Sequence, residues 1–415
     1  MKRRHLLQLG GSVLLAGCAS QSKNKKPTQK IELTGQNWTH PYHDPANTNY
    51  SPAKSAPSIF TLNEQWSMKN ISSSAIASDS GKLYVTFQEQ SSEVLCELDA
   101  DTGKKSWTFN PRDKENKNVS IGAPTIDTKT VYVNVQFGQD SQSKSVIYAL
   151  NRQSGAPKWQ TKITANALVR LHSSGIAIVT QQGSKTNLVQ ALDAASGETL
   201  WRFPSTGSSL PFLGSNKKNG YQDRSIPATA IVDDQIYIPV TDGGKTKIKV
   251  ADIISGKVEK EFSIPVSVEF SLAASNGLLY GTSHSSGPGA ANENGVYAVN
   301  PEKERLQWTT KTTENVYELG VSNQVVYFFD DGVRSLNAKT GKELWREKSA
   351  TVYPAILNSL VASLNSKKNI LQMRSQQTGE LVTDFSFHNS GYVEYLSSDE
   401  ESVYAIKGKN LYRFA

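Results

Sequence analysis

The stretch ALDAASGETLW, residues 191–201, decides the fold because close copies of it recur along the chain. Residues 97–107 read ELDADTGKKSW, and residues 335–345 read SLNAKTGKELW. Each copy has an alternating apolar and polar run, a Ser-Gly or Thr-Gly pair, and a second run that ends on Trp. Alternation predicts half-buried strands, and Gly supplies the positive φ that a tight turn needs. The repeated unit is therefore predicted to be a β-hairpin.

Two further alternating runs lie between successive Trp positions, so each unit holds four short strands in roughly 40–50 residues, which is typical of a β-propeller blade. Two copies are degenerate, with Lys260 and Thr383 in the Trp position, and one has Glu304 in place of the Gly. Because all copies share one position in the repeat, we expect the Trp side chains to pack between blades rather than to stack on a ligand. They are Trp66, Trp107, Trp159, Trp201, Trp308 and Trp345.

The two ends of the repeat region predict a closed ring. The last unit has three strands, and residues 63–68 form an unassigned strand ahead of the first complete unit. Pairing the two would remove the free edge. We predict an all-β fold over residues 61–415, an eight-bladed β-propeller of four-stranded antiparallel blades closed by an N-terminal strand. The alternative is seven blades with one degenerate unit looped out.

The unit can be written YALDAxTGxxLW, and it resembles the PQQ-like repeat over essentially the whole of residues 61–415. That repeat is seen in quinoprotein dehydrogenases and in the family of the outer-membrane assembly lipoprotein BamB. The resemblance implies a propeller with some force. It implies less about function, because enzymes and binding proteins share the repeat.

The N-terminus predicts export and lipid attachment. Residues 1–17 have a basic start, a short apolar stretch and small residues before Cys18, a pattern that resembles a bacterial lipoprotein signal peptide. The resemblance implies cleavage before Cys18 and lipid on that residue. The pair Arg3-Arg4 leaves twin-arginine export open beside the general route.

Residues 18–60 are predicted to be a lipidated tether and a Pro/Asn-rich segment. Residues 19–30 are polar and are expected to form a flexible tether,. Within residues 37–52 (NWTHPYHDPANTNYSP), His40 and His43 are weak candidates for a metal site that lacks an evident third ligand,. The alternative is a segment strapped across the propeller.

Charge distribution argues against a nucleic-acid partner, and the cysteine count leaves one cysteine besides Cys18. Residues 1–30 hold seven basic residues and no acidic one, so the remaining chain has 38 of each. A nucleic-acid partner is therefore not expected. With Cys18 lipidated, Cys96 is the only other cysteine, and we expect it to be buried and free in a strand.

Long connections are predicted on one face of the ring, opposite the short Gly turns, and binding surfaces are often built from such loops. The connection 204–225 is the most suggestive, with apolar and aromatic residues beside polar ones,. We expect this loop to be either a partner-binding element or a lid over the ring. The tentative contact residues are Leu210, Phe212, Leu213 and Tyr221.

Three functions remain open. The first, which the resemblance favours, is a scaffold that binds exported or outer-membrane proteins, with a β-barrel assembly machine as partner. It would sit at the periplasmic face of the outer membrane in a Gram-negative cell, and otherwise outside the cytoplasmic membrane. The second is a lipoprotein that binds a small molecule or glycan at the propeller mouth. The third is a quinoprotein dehydrogenase, which is disfavoured because many such enzymes carry adjacent cysteines; no cofactor and no catalytic residue are expected.

Overall fold

The alternating runs of the repeat fold as strands, and no helix is present in the part of the chain that the structure describes. The structure is a computed structural model. It describes residues 25–33, 38–51, 62–73, 75–111, 118–138, 144–164, 166–182, 188–204, 229–242, 245–266, 268, 272–283, 294–348, 355–357, 359–365, 368–388, 393–399 and 402–415. Within these residues there is no helix with the length and hydropathy needed to cross a membrane.

The described strands form eight sheets, one for each blade. Two strands precede the first complete blade, β1 (Tyr50–Ser51) and β2 (Glu64–Lys69). Blades 1 to 4 follow in chain order. Blade 1 contains β3 (Ala77–Asp79), β4 (Lys82–Glu89), β5 (Ser92–Asp99) and β6 (Lys105–Phe109); blade 2 contains β7 (Val119–Ile121), β8 (Thr125–Ile126), β9 (Thr130–Phe137), β10 (Lys144–Asn151) and β11 (Pro157–Ile163); blade 3 contains β12 (Asn166–His172), β13 (Ile176–Gln182), β14 (Leu188–Asp193) and β15 (Thr199–Pro204); blade 4 contains β16 (Ala230–Val232), β17 (Gln235–Asp242), β18 (Lys245–Asp252) and β19 (Val258–Ile264).

Blades 5 to 8 continue the series. In blade 2 two short strands, β7 and β8, share the innermost place. In blade 7 the two-residue strand β1 pairs parallel with β28 at the inner edge of the sheet. Blade 5 contains β20 (Leu272–Ser275), β21 (Leu278–Ser283), β22 (Gly295–Asn300) and β23 (Arg305–Lys311); blade 6 contains β24 (Leu319–Val321), β25 (Val325–Phe329), β26 (Val333–Asn337) and β27 (Glu343–Glu347); blade 7 contains β28 (Ala355–Leu357), β29 (Leu360–Asn365), β30 (Ile370–Ser375) and β31 (Leu381–Ser386); blade 8 contains β32 (Val393–Ser398), β33 (Val403–Lys407) and β34 (Asn410–Phe414).

Blade 8 is completed by β2, which pairs antiparallel with β34. Trp66 lies opposite Arg413, and the amide of Ala415 donates to the carbonyl of Asn63. The eight-bladed ring closed by an N-terminal strand is therefore confirmed, and the predicted strand 63–68 differs by one residue from β2. The closure leaves each blade packed between two others, which hides the faces of its strands.

A short turn joins the third and fourth strands of a blade. Two positions of the repeat form this turn, an Asp or Asn and the Gly four residues later. In blade 1 the Asp99 carboxylate accepts bonds from the amide and the hydroxyl of Thr102, at 3.1 and 2.8 Å. The amide of Gly103 then bonds the carbonyl of Asp99 at 2.9 Å, with Gly103 at a φ of 68°. The acidic or amide residue four positions before the Gly therefore acts as an Asx-type lock on the turn. The amide bond to this side chain recurs at Asn151, Asp193, Asp252 and Asn337.

The core lies between neighbouring blades, where the inner and middle strands of each sheet contribute buried aliphatic and aromatic residues. Cys96 in β5 is free and fully buried. Its thiol lies 3.4 Å from the Thr108 hydroxyl, and burial raises the pKa of the thiol. The thiol therefore packs as a small apolar group.

Candidate functional site

Strand order gives the ring two unlike faces. We call the face formed by the turns between first and second and between third and fourth strands the short-turn face. The opposite face, which we call the loop-rich face, carries the remaining connections, including those between β15 and β16 and between β21 and β22. Most residues of the long connections lie outside the described residues, as do Leu210, Phe212, Leu213, Tyr221 and Cys18. What the structure places in detail is the short-turn face and the axis of the ring.

The Trp side chains of the repeat lie at the junctions between blades, near the short-turn face. The indole N–H of Trp107 donates to the carbonyl of Arg152 in the next blade at 2.9 Å, and its ring lies on Gly155. A Cβ on Gly155 would meet the ring at 2.6 Å, so the contact requires glycine. Among the described residues six junctions share this Trp–Gly arrangement, with the pairs Trp66–Gly103, Trp107–Gly155, Trp159–Gly197, Trp201–Gly256, Trp308–Gly341 and Trp345–Gly379.

The end of the ring axis is occupied by residues 38–51, which we call the axial segment. The amide of Ser78 in blade 1 bonds the carbonyl of Trp38 at 2.8 Å, and the amide of Ile126 in blade 2 bonds that of Thr39 at 2.9 Å. Moving along the axial segment moves the contact to the next blade each time. Further amides that donate to this segment come from blades 3 to 7 in turn: Leu171, Ile231, Ala274, Val321 and Ile356.

Blade 8 completes the circle through a side chain. The Tyr395 hydroxyl accepts the indole N–H of Trp38 at 2.7 Å and donates to the carbonyl of Pro41. The seven donating amides lie at the last or next-to-last residue of an innermost strand, just before the short turn. The axial segment therefore crosses the axis at the short-turn face and satisfies inner-edge amides that would otherwise face the channel.

Asn47 and Arg170 form the polar centre of this contact. The Asn47 amide nitrogen donates to the carbonyls of Thr229 and Leu272, at 2.6 and 2.8 Å, while its oxygen accepts from Arg170 Nε at 2.8 Å. Arg170 is only 2% exposed, and burial lowers its pKa to about 10. Asn47 sits at a φ of 58°, a conformation that Asn tolerates better than most residues,.

The two histidines of the axial segment have protein partners. His40 Nε2 accepts the amide of Leu171 at 3.1 Å, and its Nδ1 bonds the Thr39 hydroxyl at 2.8 Å. Burial lowers the pKa of His40 to about 3. His43 Nδ1 lies 3.4 Å from the Asp44 carboxylate. Across the described residues, no group of three or more His, Cys, Asp or Glu is placed to hold a metal ion.

Asp44 organises the turn that follows His43. Burial alone would raise the pKa of Asp44, but the hydrogen bonds from His43 and Thr48 outweigh burial and hold this pKa below its usual value. The amide of Thr48 donates to the carboxylate at 3.0 Å. The carboxylate therefore has a structural task inside the axial segment, as in other Asx-type turns.

Residues 25–33, which we call the docked tether, lie on blades 2 and 3 at the short-turn face. The Thr28 amide donates to the Asp193 carboxylate at 2.7 Å, and the Ile31 amide donates to the carbonyl of Ser173 at 3.1 Å. Ile31 and Leu33 pack on the core between these blades. The expectation of a flexible tether is therefore wrong for residues 25–30, because apolar residues just beyond that stretch fix it to the ring.

A family model described as "Outer membrane protein assembly factor BamB" matches this chain over residues 61–185, 141–274 and 185–386. A curated relative, the outer membrane protein assembly factor BamB of Yersinia pestis, is 32% identical over 111 residues. That segment is 25% of this chain and 26% of the relative, so the match spans about a quarter of the relative's length.

Solved structures share the fold at low identity. The crystal structure of BamB from Moraxella catarrhalis has a TM-score of 0.60 at 16% identity, covering 85% of this chain and 99% of that chain. The quinohemoprotein alcohol dehydrogenase ADHIIG from Pseudomonas putida HK5 has a TM-score of 0.61 at 13% identity, covering 92% of this chain and 80% of that chain. Because one of these proteins is named an assembly factor and the other an enzyme, these likenesses show the fold alone,.

Proposed function

Because the chain belongs to the family of the outer membrane protein assembly factor BamB, we propose that it is an exported, lipid-anchored binding protein that takes part in assembling outer-membrane proteins. The observation that carries this proposal is the extent of the family match. It runs from the start of the ring to the outer strand of blade 7. A shared blade unit alone would support only the fold.

The proposed location follows from Cys18. Lipid on this residue would hold the chain at a membrane outside the cytoplasm, since several acyl chains together give stable anchoring. In a Gram-negative cell we place it at the periplasmic face of the outer membrane, and otherwise at the outer face of the cytoplasmic membrane. Replacing Cys18 by Ala should release the protein from washed membranes into the soluble fraction.

We place the partner contact on the loop-rich face. The axial segment and the docked tether already cover parts of the short-turn face, whereas the long connections extend from the other side. Leu210, Phe212, Leu213 and Tyr221 remain the proposed contact residues in the connection between β15 and β16. The partner in this proposal is an outer-membrane protein or a β-barrel assembly machine.

The test is photo-cross-linking in native membranes. A photoreactive phenylalanine analogue at Tyr317, an exposed residue of the loop-rich face, should trap a component of the β-barrel assembly machine. The same analogue at the exposed Lys339 on the short-turn face is the matched control. Loss of the Tyr317 product in a Phe212→Asp and Leu213→Asp double variant would support the contact. Recovery of no assembly component, from cells where the machine is abundant, would reject this function.

A quinoprotein dehydrogenase is the alternative that the fold likeness to alcohol dehydrogenases raises. Cys18 and Cys96 are the only cysteines of the sequence, and they are not adjacent. Cys96 is also buried within β5. We therefore propose a binding protein without a quinone cofactor. Reduction of a dye with an alcohol substrate, after adding calcium and PQQ, would contradict this assignment.

A further inference from the structure

The docked tether gives the chain a fixed path from the rim of the ring to its axis. Lys25 pairs with Glu198 in the outer turn of blade 3, at 2.7 Å. Thr28 then bonds Asp193 at the base of the same turn, and Ile31 bonds Ser173 in the inner turn. Both turns belong to the short-turn face, so the chain leaves the ring on this face at the edge of blade 3.

Two kinds of contact hold this path. The Lys25–Glu198 pair is exposed and contributes little,. The stronger contacts lie further along, where Thr28 makes two bonds to the Asp193 carboxylate, at 2.7 and 3.2 Å. Ile31 and Leu33 add apolar packing on the core between blades 2 and 3. The point of exit is therefore set by partly buried contacts and does not depend on the surface pair alone.

The distance from this exit to the proposed lipid is short. Cys18 lies seven residues before Lys25, and seven residues span at most about 25 Å when fully extended. An eight-residue strand such as β10 is itself roughly 26 Å long,. If the loop-rich face lay against the bilayer instead, the seven residues would have to run along the edge of the ring from one face to the other. That path would use their whole extended length.

We propose that the short-turn face lies against the lipid bilayer, with the edge of blade 3 nearest, and that the loop-rich face points away from it. This inference rests on the lipid anchor proposed above. The short-turn face contacts the same bilayer that holds the lipid anchor, and the docked tether sets the orientation of the ring relative to this bilayer. The loop-rich face is then free for a partner that approaches from the aqueous side.

The experiment measures energy transfer from the ring to the bilayer. Lys339 and Lys348 are both exposed residues of blade 6, on the short-turn and loop-rich faces respectively, and Lys257 is exposed on the short-turn face of blade 4. Each is replaced by Cys in the lipidated full chain and labelled with a donor dye; Cys96 is buried and stays unlabelled. The vesicles contain phosphatidylethanolamine, phosphatidylglycerol and a headgroup-labelled acceptor lipid.

We expect at least twofold more transfer from position 339 than from 348, and at least as much from 257 as from 339. Equal transfer from 339 and 348, or more from 348, would overturn the orientation. Failure of the protein to float with the vesicles would instead reject the lipid anchor, so the two failures are distinguishable.

The variant Ile31→Asp should bring the ratio of energy transfer from position 339 to that from position 348 towards one while flotation persists. Lys30→Ala, at an exposed residue, should leave this ratio unchanged. Persistence of the ratio in Ile31→Asp would show that the docked tether does not set the orientation.

Discussion

Lys260 of blade 4 and Glu304 of blade 5 form an ion pair at 3.1 Å, in the two positions that hold Trp and Gly at six other junctions of the described ring. Lys260 Nζ also donates to the carbonyl of Pro301 at 2.8 Å. This bond replaces the one that the indole N–H donates at the other junctions. Glu304 adopts a φ of 52° in place of the usual glycine. A side chain at this turn leaves no space for an indole ring, so the two replacements compensate each other. The exposed ion pair itself contributes at most about 1 kcal/mol.

This compensation predicts coupling between the two positions. Lys260→Trp alone should destabilise the ring, because the indole would meet the Glu304 side chain. Adding Glu304→Gly should restore most of the loss, with a coupling energy of about 1–2 kcal/mol. Urea unfolding of both single variants and the double variant measures this energy. Additive single effects would show that the two sites are independent.

A methyl group at a Trp–Gly junction should be costly. Gly155→Ala places a Cβ about 2.6 Å from the Trp107 ring and also strains the backbone at a φ of 69°. We expect a loss of about 2–4 kcal/mol in the free energy of unfolding. Gly81→Ala is the matched control, because Gly81 has the same φ and no atom within 4 Å of the added Cβ. Its loss should stay near 1 kcal/mol. Equal losses in the two variants would mean that the Trp contact contributes nothing.

The side chain of Asn47 should matter more than that of Asn49. Both residues have a positive φ, at 58° and 50°, so an Ala substitution carries a similar backbone cost. Asn47 bonds two carbonyls and the buried Arg170, whereas Asn49 donates to the carbonyl of Leu319. We expect Asn47→Ala to cost about 2 kcal/mol more than Asn49→Ala, since it leaves Nε of the buried Arg170 without an acceptor, while the Nη1 bond to the Thr229 hydroxyl stays,. Thermal unfolding of the two variants provides the comparison.

Acid should weaken the ring through His40. Burial lowers the pKa of His40 to about 3, while in the unfolded chain it is near 6.5. Between these two values the unfolded state binds more protons than the folded state. The contribution of His40 to the free energy of unfolding is therefore complete above pH 6.5 and is lost as the pH drops towards 3. The loss approaches about 1.4 kcal/mol per pH unit. His40→Gln should flatten this part of the profile of unfolding free energy against pH, and the exposed His388→Gln should leave it unchanged. A profile that is the same in wild type and His40→Gln would contradict this assignment.

The repeat made the ring and its closure predictable, because each blade repeats one pattern of strands, turn and Trp. The Lys260–Glu304 exchange was visible as two separate irregularities. Their connection was hidden, because the Trp position of one blade packs on the turn of the next and not on its own turn. Only the blade order in space pairs residue 260 with residue 304.

A segment strapped across the propeller was one of the two predictions for residues 37–52, and the structure shows that strap over residues 38–51; its individual contacts escaped prediction for a different reason. Its contacts join residues 38–51 to positions as distant as Tyr395, and it has neither a helical nor a strand period. The sequence left a strap and a metal site open for His40 and His43. One usable signal was its Asn-rich composition, since Asn47 and Asn49 take the positive φ that lets the segment bend from blade to blade,.

The path of the axial segment also constrains the order of folding. A chain that emerges from its N-terminus presents residues 38–51 before any of the inner strands that bind them exists. The last of these contacts, with Tyr395, and the pairing of β2 with β34 both wait for nearly the whole chain. Such distant pairing makes loop closure slow. The ring would therefore pass through an interval with built blades and an unfilled centre, during which its inner amides are open to other extended chains.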